Sequence, residues 1–290
     1  MSNKPQSPIT PAGNAIVEPG PRPPWICVGL PDQVEWTRLR LPIPRLDPRL
    51  ASLRLIHLTD LHMRRAWCRG YDRLIERINA ANADLLLFTG DFVEDKRDYR
   101  PAWPMVRRLV EPLRARLGRF AVLGNHDSDM LVTLLQELGI AVIEHQRIRL
   151  SPASHTPAAP ADASAPAIEL IGLPGIERAD LDHEFLASLP PRPDGSVRIA
   201  LAHFPDLFEQ IAAAPPDIFL AGHTHGGQIC LPGGWPPLTH APGPRRYATG
   251  IHRRGNCWYI VNRGLGAGKI PVRIFCPPQV IEIELVPGGE

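Results

Sequence analysis

A chain of 290 residues and 32.0 kDa, 44 % hydrophobic and 21 % charged, has the make-up of a folded protein with its own core. Its 34 prolines, far above the usual ~5 %, exclude an all-helical bundle or a coiled coil. A formal net charge of +2 excludes a strong field for capturing nucleic acid, and five scattered cysteines without a C-x-x-C pair exclude a disulfide framework or zinc knuckle. Residues 1–24 read as a disordered Pro-rich tail ahead of a single domain over 25–290. The apolar stretch 25–30 is far too short to span a bilayer, and the start lacks the regions of a secretory signal, so a cytoplasmic protein is expected. Residues 34–41 suit an edge strand stopped by Pro42 and Pro44. A strand at 54–59 precedes a helix at 70–83, with Tyr71, Leu74, Ile75 and Ile78 on one face. A strand at 84–89, a helix at 101–117 and a strand at 120–123 follow, then a helix that Ser128 opens and Gly139 closes. Segments 140–143 and 148–150 are expected to form a hairpin pair, and 151–167 a low-complexity loop. Strands at 168–172, 197–202 and 217–221, with a helix between the last two, lead to a proline- and glycine-rich loop at 232–244. Strands at 257–261 and 280–285 finish the chain. Strands alternate with helices first and then dominate, which fits an α/β domain with a large mixed sheet system.

Five segments set acidic, amide or imidazole groups directly after a short apolar strand. They are Thr59-Asp60-Leu61-His62, Gly90-Asp91, Gly124-Asn125-His126-Asp127, His203, and Gly222-His223-Thr224-His225-Gly226-Gly227. In open α/β sheets ligands bind outside the carboxyl ends of the strands, so five such ends can converge on one site. Singly, each segment has a plain structural explanation: a capping aspartate, a turn, a core histidine. Together, in order and all at strand ends, they point to one centre. Asp, His and an Asn carbonyl form a mixed nitrogen and oxygen donor set without Cys or Met. That disfavours Cu(I) and structural zinc and suits divalent ions such as Mn²⁺, Fe²⁺ or Zn²⁺. Asp60, His62, Asp91, Asn125, His203, His223 and His225 are too many donors for one ion. They suit two divalent metal ions ~3.5–4 Å apart that share a carboxylate, a geometry that clamps a phosphoryl group.

The ordered set Asp-x-His, Gly-Asp, Gly-Asn-His-Asp, His, Gly-His-x-His resembles the calcineurin-like metallophosphoesterase superfamily over about residues 53–230. The run 222–229, the segment Asn262-Arg263-Gly264-Leu265-Gly266 and residues 271–278 are similar to its YkuE/YaeI-like branch. That branch includes a UDP-diacylglucosamine pyrophosphatase of lipid A synthesis. The resemblance implies a four-layer sandwich of two mixed β-sheets flanked by helices. It implies that Asp60, His62 and His225 hold one ion, that Asn125, His203 and His223 hold a second, and that Asp91 bridges both. His126, beside Asn125, would face the substrate phosphate as general acid or transition-state stabiliser, with Asp127 orienting it. The implied reaction is hydrolysis of a phosphomonoester, phosphodiester or pyrophosphate bond by direct attack of hydroxide held between the ions. A lipid pyrophosphatase is the narrower alternative. A non-catalytic metal- or phosphate-binding module on the same scaffold is the alternative from another class.

A phosphorylated small molecule or lipid is the expected substrate, and no nucleic acid. Arg263, after the 257–261 strand, could approach the phosphate or serve packing alone. Arg38, Arg40, Arg45, Arg49 and Arg54, interleaved with leucines, could make a peripheral membrane contact or protect a strand edge by charge. His57, Arg64, Arg65, Trp67 and Trp235 are weaker candidates around the site, and the loop 232–244 just past His225 is where substrate choice would lie.

Overall fold

The computed structural model describes residues 18–19, 24–30, 34–151, 165–173, 179–207, 215–239 and 247–288. Most of the proline-rich tail and of the low-complexity loop lie outside them. The central strands are short runs of branched apolar residues buried on both faces, the pattern of parallel strands covered by a layer on each side. β4 (Arg54–Leu58), β5 (Leu85–Thr89), β6 (Gly118–Val122) and β7 (Ala141–Val142) run parallel in one sheet. β15 (Gln279–Gly288) is antiparallel to β4, β3 (Glu35–Pro44) is parallel to β15, and β1 (Glu18–Pro19) pairs antiparallel with β3. The second sheet has parallel β9 (Ile168–Leu173), β10 (Val197–Ala202), β11 (Ile218–Ala221) and β13 (Cys257–Val261). β8 (Arg147–Leu150) and β12 (Gly250–Arg254) close its two edges antiparallel. The sheets have seven strands, ordered β1-β3-β15-β4-β5-β6-β7, and six, ordered β12-β13-β11-β10-β9-β8. A separate ribbon pairs β2 (Ile26–Val28) with β14 (Val272–Ile274).

Side-chain parity along the strands sorts the core into three apolar layers. Leu55, Leu85, Leu87, Ile199 and Leu201 fill the space between the two sheets. Their neighbours Ile56, Leu86 and Phe88 face the other way, against α1 (Arg69–Ala80), α2 (Trp103–Val110) and α3 (Met130–Glu137). Ala200, Ala202 and Phe219 face outward from the second sheet, with Leu186 of α4 (Ala179–Ser188). The result is the expected sandwich of two mixed sheets flanked by helices.

Several local expectations change. Segments 140–143 and 148–150 do not form a hairpin. β7 joins β6 in the first sheet and β8 joins β9 in the second, so the chain crosses between the sheets at 143–146. α2 ends at Val110, short of 117, because Pro112 has no N–H to donate to the carbonyl of Arg108. β3 runs through Pro42 to Pro44 and is covered by β1 only at Arg38 and Thr37. Past those residues its outer side has no partner strand among the described residues, and there a missing N–H costs no ladder bond. The helix expected between β10 and β11 falls largely on residues outside those described. α4 and the β2–β14 ribbon were not expected at all. All five cysteines are free, and all but Cys68 are buried.

At the sheet crossing, a Cβ placed on Gly172 would lie 1.9 Å from the carbonyl oxygen of Ile143. Because that neighbour is backbone, Gly172→Ala should destabilise the fold by about 3 kcal/mol. A urea melt should show the midpoint falling with an unchanged slope.

Candidate metal centre

The parallel strands of both sheets point their carboxyl ends at the same edge of the sandwich. Asp60 and His62 follow β4, Asp91 follows β5, and Asn125, His126 and Asp127 follow β6. From the facing sheet His203 follows β10, and His223 and His225 follow β11. Five of these residues leave their strands in the left-handed region: Asp60 (φ 49), His62 (φ 41), Asp91 (φ 56), His223 (φ 70) and His225 (φ 52). For residues with a Cβ such backbone costs about 1 kcal/mol or more each and persists only where surrounding contacts over-determine it. Backbone bonds supply that here: Asp60 N–H donates to the Gly90 carbonyl (2.9 Å), His62 N–H to Asp91 (3.0 Å) and Gly222 N–H to His203 (3.1 Å). The sheets meet so closely that a Cβ on Gly222 would lie 2.1 Å from Thr59 Oγ1 and 2.3 Å from Asp60 Oδ2.

All seven expected donors come together. Asp91 Oδ2 sits at the middle, 3.3 Å from His62 Nε2 and 3.3 Å from His203 Nε2. On one side Asp60 Oδ1 lies 3.9 Å from His62 Nε2 and 3.5 Å from His225 Nε2. On the other, His203 Nε2 lies 3.1 Å from Asn125 Oδ1 and 3.3 Å from His223 Nδ1. Asp60, His62, Asp91 and His225 each offer a ligand atom within 4.8 Å of the others. Although buried, His62 Nε2 has no hydrogen-bond partner; the nearby carboxylate oxygens are off its donor axis. A buried ring nitrogen beside two carboxylates but bonded to neither fits a cation position.

The charges of the cluster depend on one another. Burial pushes Asp91 up, but His203 and His62 beside it more than offset this and hold it well below the carboxylate range. Burial lowers His62, but Asp91 and Glu94 raise it to about 10. Burial lowers His203 as well, and Asp91 and Asp60 raise it to about 9. His225 is held well below its usual value by burial, by His62 and by Arg273. Burial raises Asp60.

Other expected residues have different surroundings. Asp127 accepts from the backbone N–H groups of Phe92 (2.8 Å), Val93 (3.3 Å) and Gly124 (3.0 Å). It therefore clamps the β5 and β6 loops together, and burial with the Asp91 charge raises it to about 7. His126 Nδ1 meets the carbonyl of Glu94 at 2.5 Å, and its backbone N–H donates to Asp91 Oδ1 at 2.8 Å. The Arg263 guanidinium pairs with Glu35 at 2.5 Å. His57 Nε2 meets Thr89 Oγ1 at 2.8 Å, and burial lowers the ring to about 3, which keeps it neutral in the sheet. Trp67 Nε1 donates to Asp72 at 3.1 Å.

Three residues that sequence reasoning passed over complete the centre. Glu94 bonds His62 Nδ1 through its carboxylate (2.7 Å) and pairs with Arg64 (3.1 Å). In sequence it begins a charged run, Glu94-Asp95-Lys96-Arg97-Asp98, that reads as a solvated turn; its spacing of three from Asp91 was the available signal. The carbonyl of Thr89 accepts from His203 Nδ1 at 2.7 Å. Arg273, buried beneath His225, places Nη2 3.1 Å from its Nδ1 and donates to the Arg263 and Gly266 carbonyls. A guanidinium only donates, so in this contact Nδ1 accepts and the proton of the neutral ring lies on Nε2.

A family model for calcineurin-like phosphoesterases matches residues 53–227. The chain is similar to the uncharacterised metallophosphoesterase YkuE of Bacillus subtilis, 27 % identical over 256 residues that cover 86 % of this chain and 85 % of YkuE. It is similar to the UDP-2,3-diacylglucosamine pyrophosphatase LpxG of Chlamydia muridarum, 26 % identical over 301 residues, covering 86 % of this chain and 88 % of LpxG. The phosphodiesterase YaeI of Escherichia coli is 26 % identical over 253 residues, covering 81 % of this chain and 83 % of YaeI.

Raised to about 10 and about 9, His62 and His203 are protonated near neutral pH in the metal-free protein. A cation then competes with protons, so affinity falls as pH falls and loading releases protons. Titration calorimetry of Mn²⁺ into metal-free protein, in two buffers of different ionisation heat, should show that release. Glu94→Gln should weaken Mn²⁺ binding roughly 10–100-fold by loosening His62.

Proposed function

The chain belongs to the calcineurin-like phosphoesterase family, and on that footing we propose that it hydrolyses a phosphoric ester or pyrophosphate at the cluster around Asp91, with two divalent ions held there. The observation that carries the proposal is the position of Asp91 Oδ2, 3.3 Å from a ring nitrogen of each of two donor groups. Asp60, His62 and His225 form the first group, Asn125, His203 and His223 the second, and Asp91 is shared. The mixed oxygen and nitrogen donors suit Mn²⁺, Fe²⁺ or Zn²⁺. Such ions supply Lewis acidity that polarises phosphoryl oxygens and lowers the pKa of an attacking water toward neutral.

The protein's own groups do the rest. Asp91 anchors the His126 backbone, and the Glu94 carbonyl accepts from His126 Nδ1–H. The ring is thereby fixed by its Nδ1–H, leaving Nε2 for the substrate, and in its doubly protonated form it would donate the Nε2 proton to the departing oxygen. The His126 ring stands 4.8 Å from that of His62, edge to face, so the acid is next to the ions rather than remote from them. Asp127 acts through the backbone, holding the loops that carry Asp91 and Asn125. The intact donor set together with His126 supports an enzyme over a non-catalytic binding module. A lipid-linked pyrophosphate is the second reading, favoured by the similarity to LpxG over 86 % of this chain.

Asp91→Asn should remove bound metal and activity together, read by metal analysis and by hydrolysis of a chromogenic phosphodiester. His126→Ala should keep its metal while kcat falls roughly 10²–10⁴-fold. An Asp91→Asn protein with full metal content and normal turnover would refute the proposal.

A further inference from the structure

The 38–54 segment turns its apolar residues inward. Leu39, Leu41, Ile43, Leu50 and Leu53 are buried in the layer between the sheets. Arg38 and Arg40 face outward and pair with Glu282 and Glu284. A different surface is exposed and apolar. With the exception of Met130, the exposed large apolar side chains of the described residues fall in three segments, 25–28, 229–238 and 270. Val28 is 72 % exposed and Leu238 75 %.

These segments form one face. Val28 and Ile26 of β2 pair with Val272 and Ile274 of β14. Ile229 bridges to Ile274, and Leu231 to Trp235. Trp25 stacks on Phe275 with ring centroids 5.3 Å apart. The face adjoins the metal centre. Gln228 accepts from Gly268 N–H (2.9 Å) and donates to the carbonyl of Ile270 (2.9 Å). A Cβ on Gly268 would lie 3.7 Å from His225 Nε2.

Charge identifies what covers it. The segments 25–28, 229–238 and 270 contain no Asp or Glu. Lys269 and Arg65 are exposed at the edge of the face, and Arg64 donates to the Lys269 carbonyl. The adjacent carboxylate, Glu94, is already committed to Arg64 and His62. An apolar face with two tryptophans, a cationic border and no carboxylates of its own matches the surface of an anionic bilayer.

We propose that the face built by 25–28, 229–238 and 270 docks the protein on an anionic lipid bilayer and sets the metal centre beside the headgroups. Docking stands on the surface alone; its use in bringing substrate to the centre rests on the phosphoesterase reading above.

Co-sedimentation with vesicles tests this, without substrate, so a failed phosphoesterase reading would not affect the outcome. Full-length protein should sediment with equimolar phosphatidylglycerol–phosphatidylcholine vesicles, less with phosphatidylcholine alone, and less again at high salt. Val28→Glu combined with Leu238→Glu should weaken binding roughly tenfold or more. Lipids brominated in their acyl chains should quench tryptophan emission of the unaltered protein, a readout independent of how the variant folds. Protein that stays in solution with both vesicle types, or binds without quenching, would overturn the proposal. So would sedimentation velocity showing a dimer that the double variant abolishes, because a second copy would then cover the face.

Discussion

Buried carboxylates and imidazoles at the seam of two sheets must neutralise one another, and Asp91 is the group around which they do so. Desolvation alone would drive its proton on and the protons of His62 and His203 off. Their mutual attraction reverses both tendencies, leaving Asp91 ionised between two protonated rings. Such an arrangement is expensive in an apolar sandwich unless every charge has a counter-charge within a few ångströms. A divalent cation is a better counter-charge than two protons, which is the physical reason for reading the cluster as a metal centre.

The rest of the architecture holds that cluster in place. Hydrophobic burial supplies the bulk of the stabilisation and is spread over three layers, leaving the strand ends to carry polar groups. Loops that leave β4, β5, β6, β10 and β11 are tied across the seam by direct bonds. His223 N–H donates to Asp60 Oδ1 (3.1 Å), His203 Nδ1 meets the Thr89 carbonyl (2.7 Å), and Asn262 Nδ2 donates to the His57 carbonyl (3.0 Å). Each link joins one sheet to the other. The left-handed backbone at five candidate donor residues is stable because these links leave the chain no relaxed alternative. Burial of Arg273 belongs to the same scheme, since it gathers carbonyls from Arg263, His225, Gly266 and Cys276 into one knot below His225.

The outer surface divides its work. Arg38 and Arg40 of β3 pair with Glu282 and Glu284 of β15 and leave that side of the first sheet polar. The β2–β14 ribbon and residues 229–238 after His225 contain no Asp or Glu and expose apolar side chains beside the cluster. No helix among the described residues is long and apolar enough to cross a membrane.

Much of this was legible in the amino-acid order. Apolar runs of four to six residues marked the buried strands, and the polar groups that follow them marked all seven candidate donors. Both signals are local: a buried strand needs continuous apolar sequence, and a donor at a strand end needs only to come next in the chain. Excess proline likewise reads as breaks between elements, although β3 carries Pro42 and Pro44 within a strand because its outer side there is uncovered. Partnership was not legible. That 140–143 and 148–150 belong to different sheets depends on which strands lie beside them. That Asp127 binds three backbone N–H groups instead of His126, that Arg263 pairs with Glu35, and that Glu94 holds His62 depend on loops meeting across a seam. The sequence by itself determined most of the central strands, the chemistry of the candidate donors and the family. Only the tertiary structure decided which side chain faces which, because electrostatic and hydrogen-bond partners are set by distance in space and not by separation along the chain.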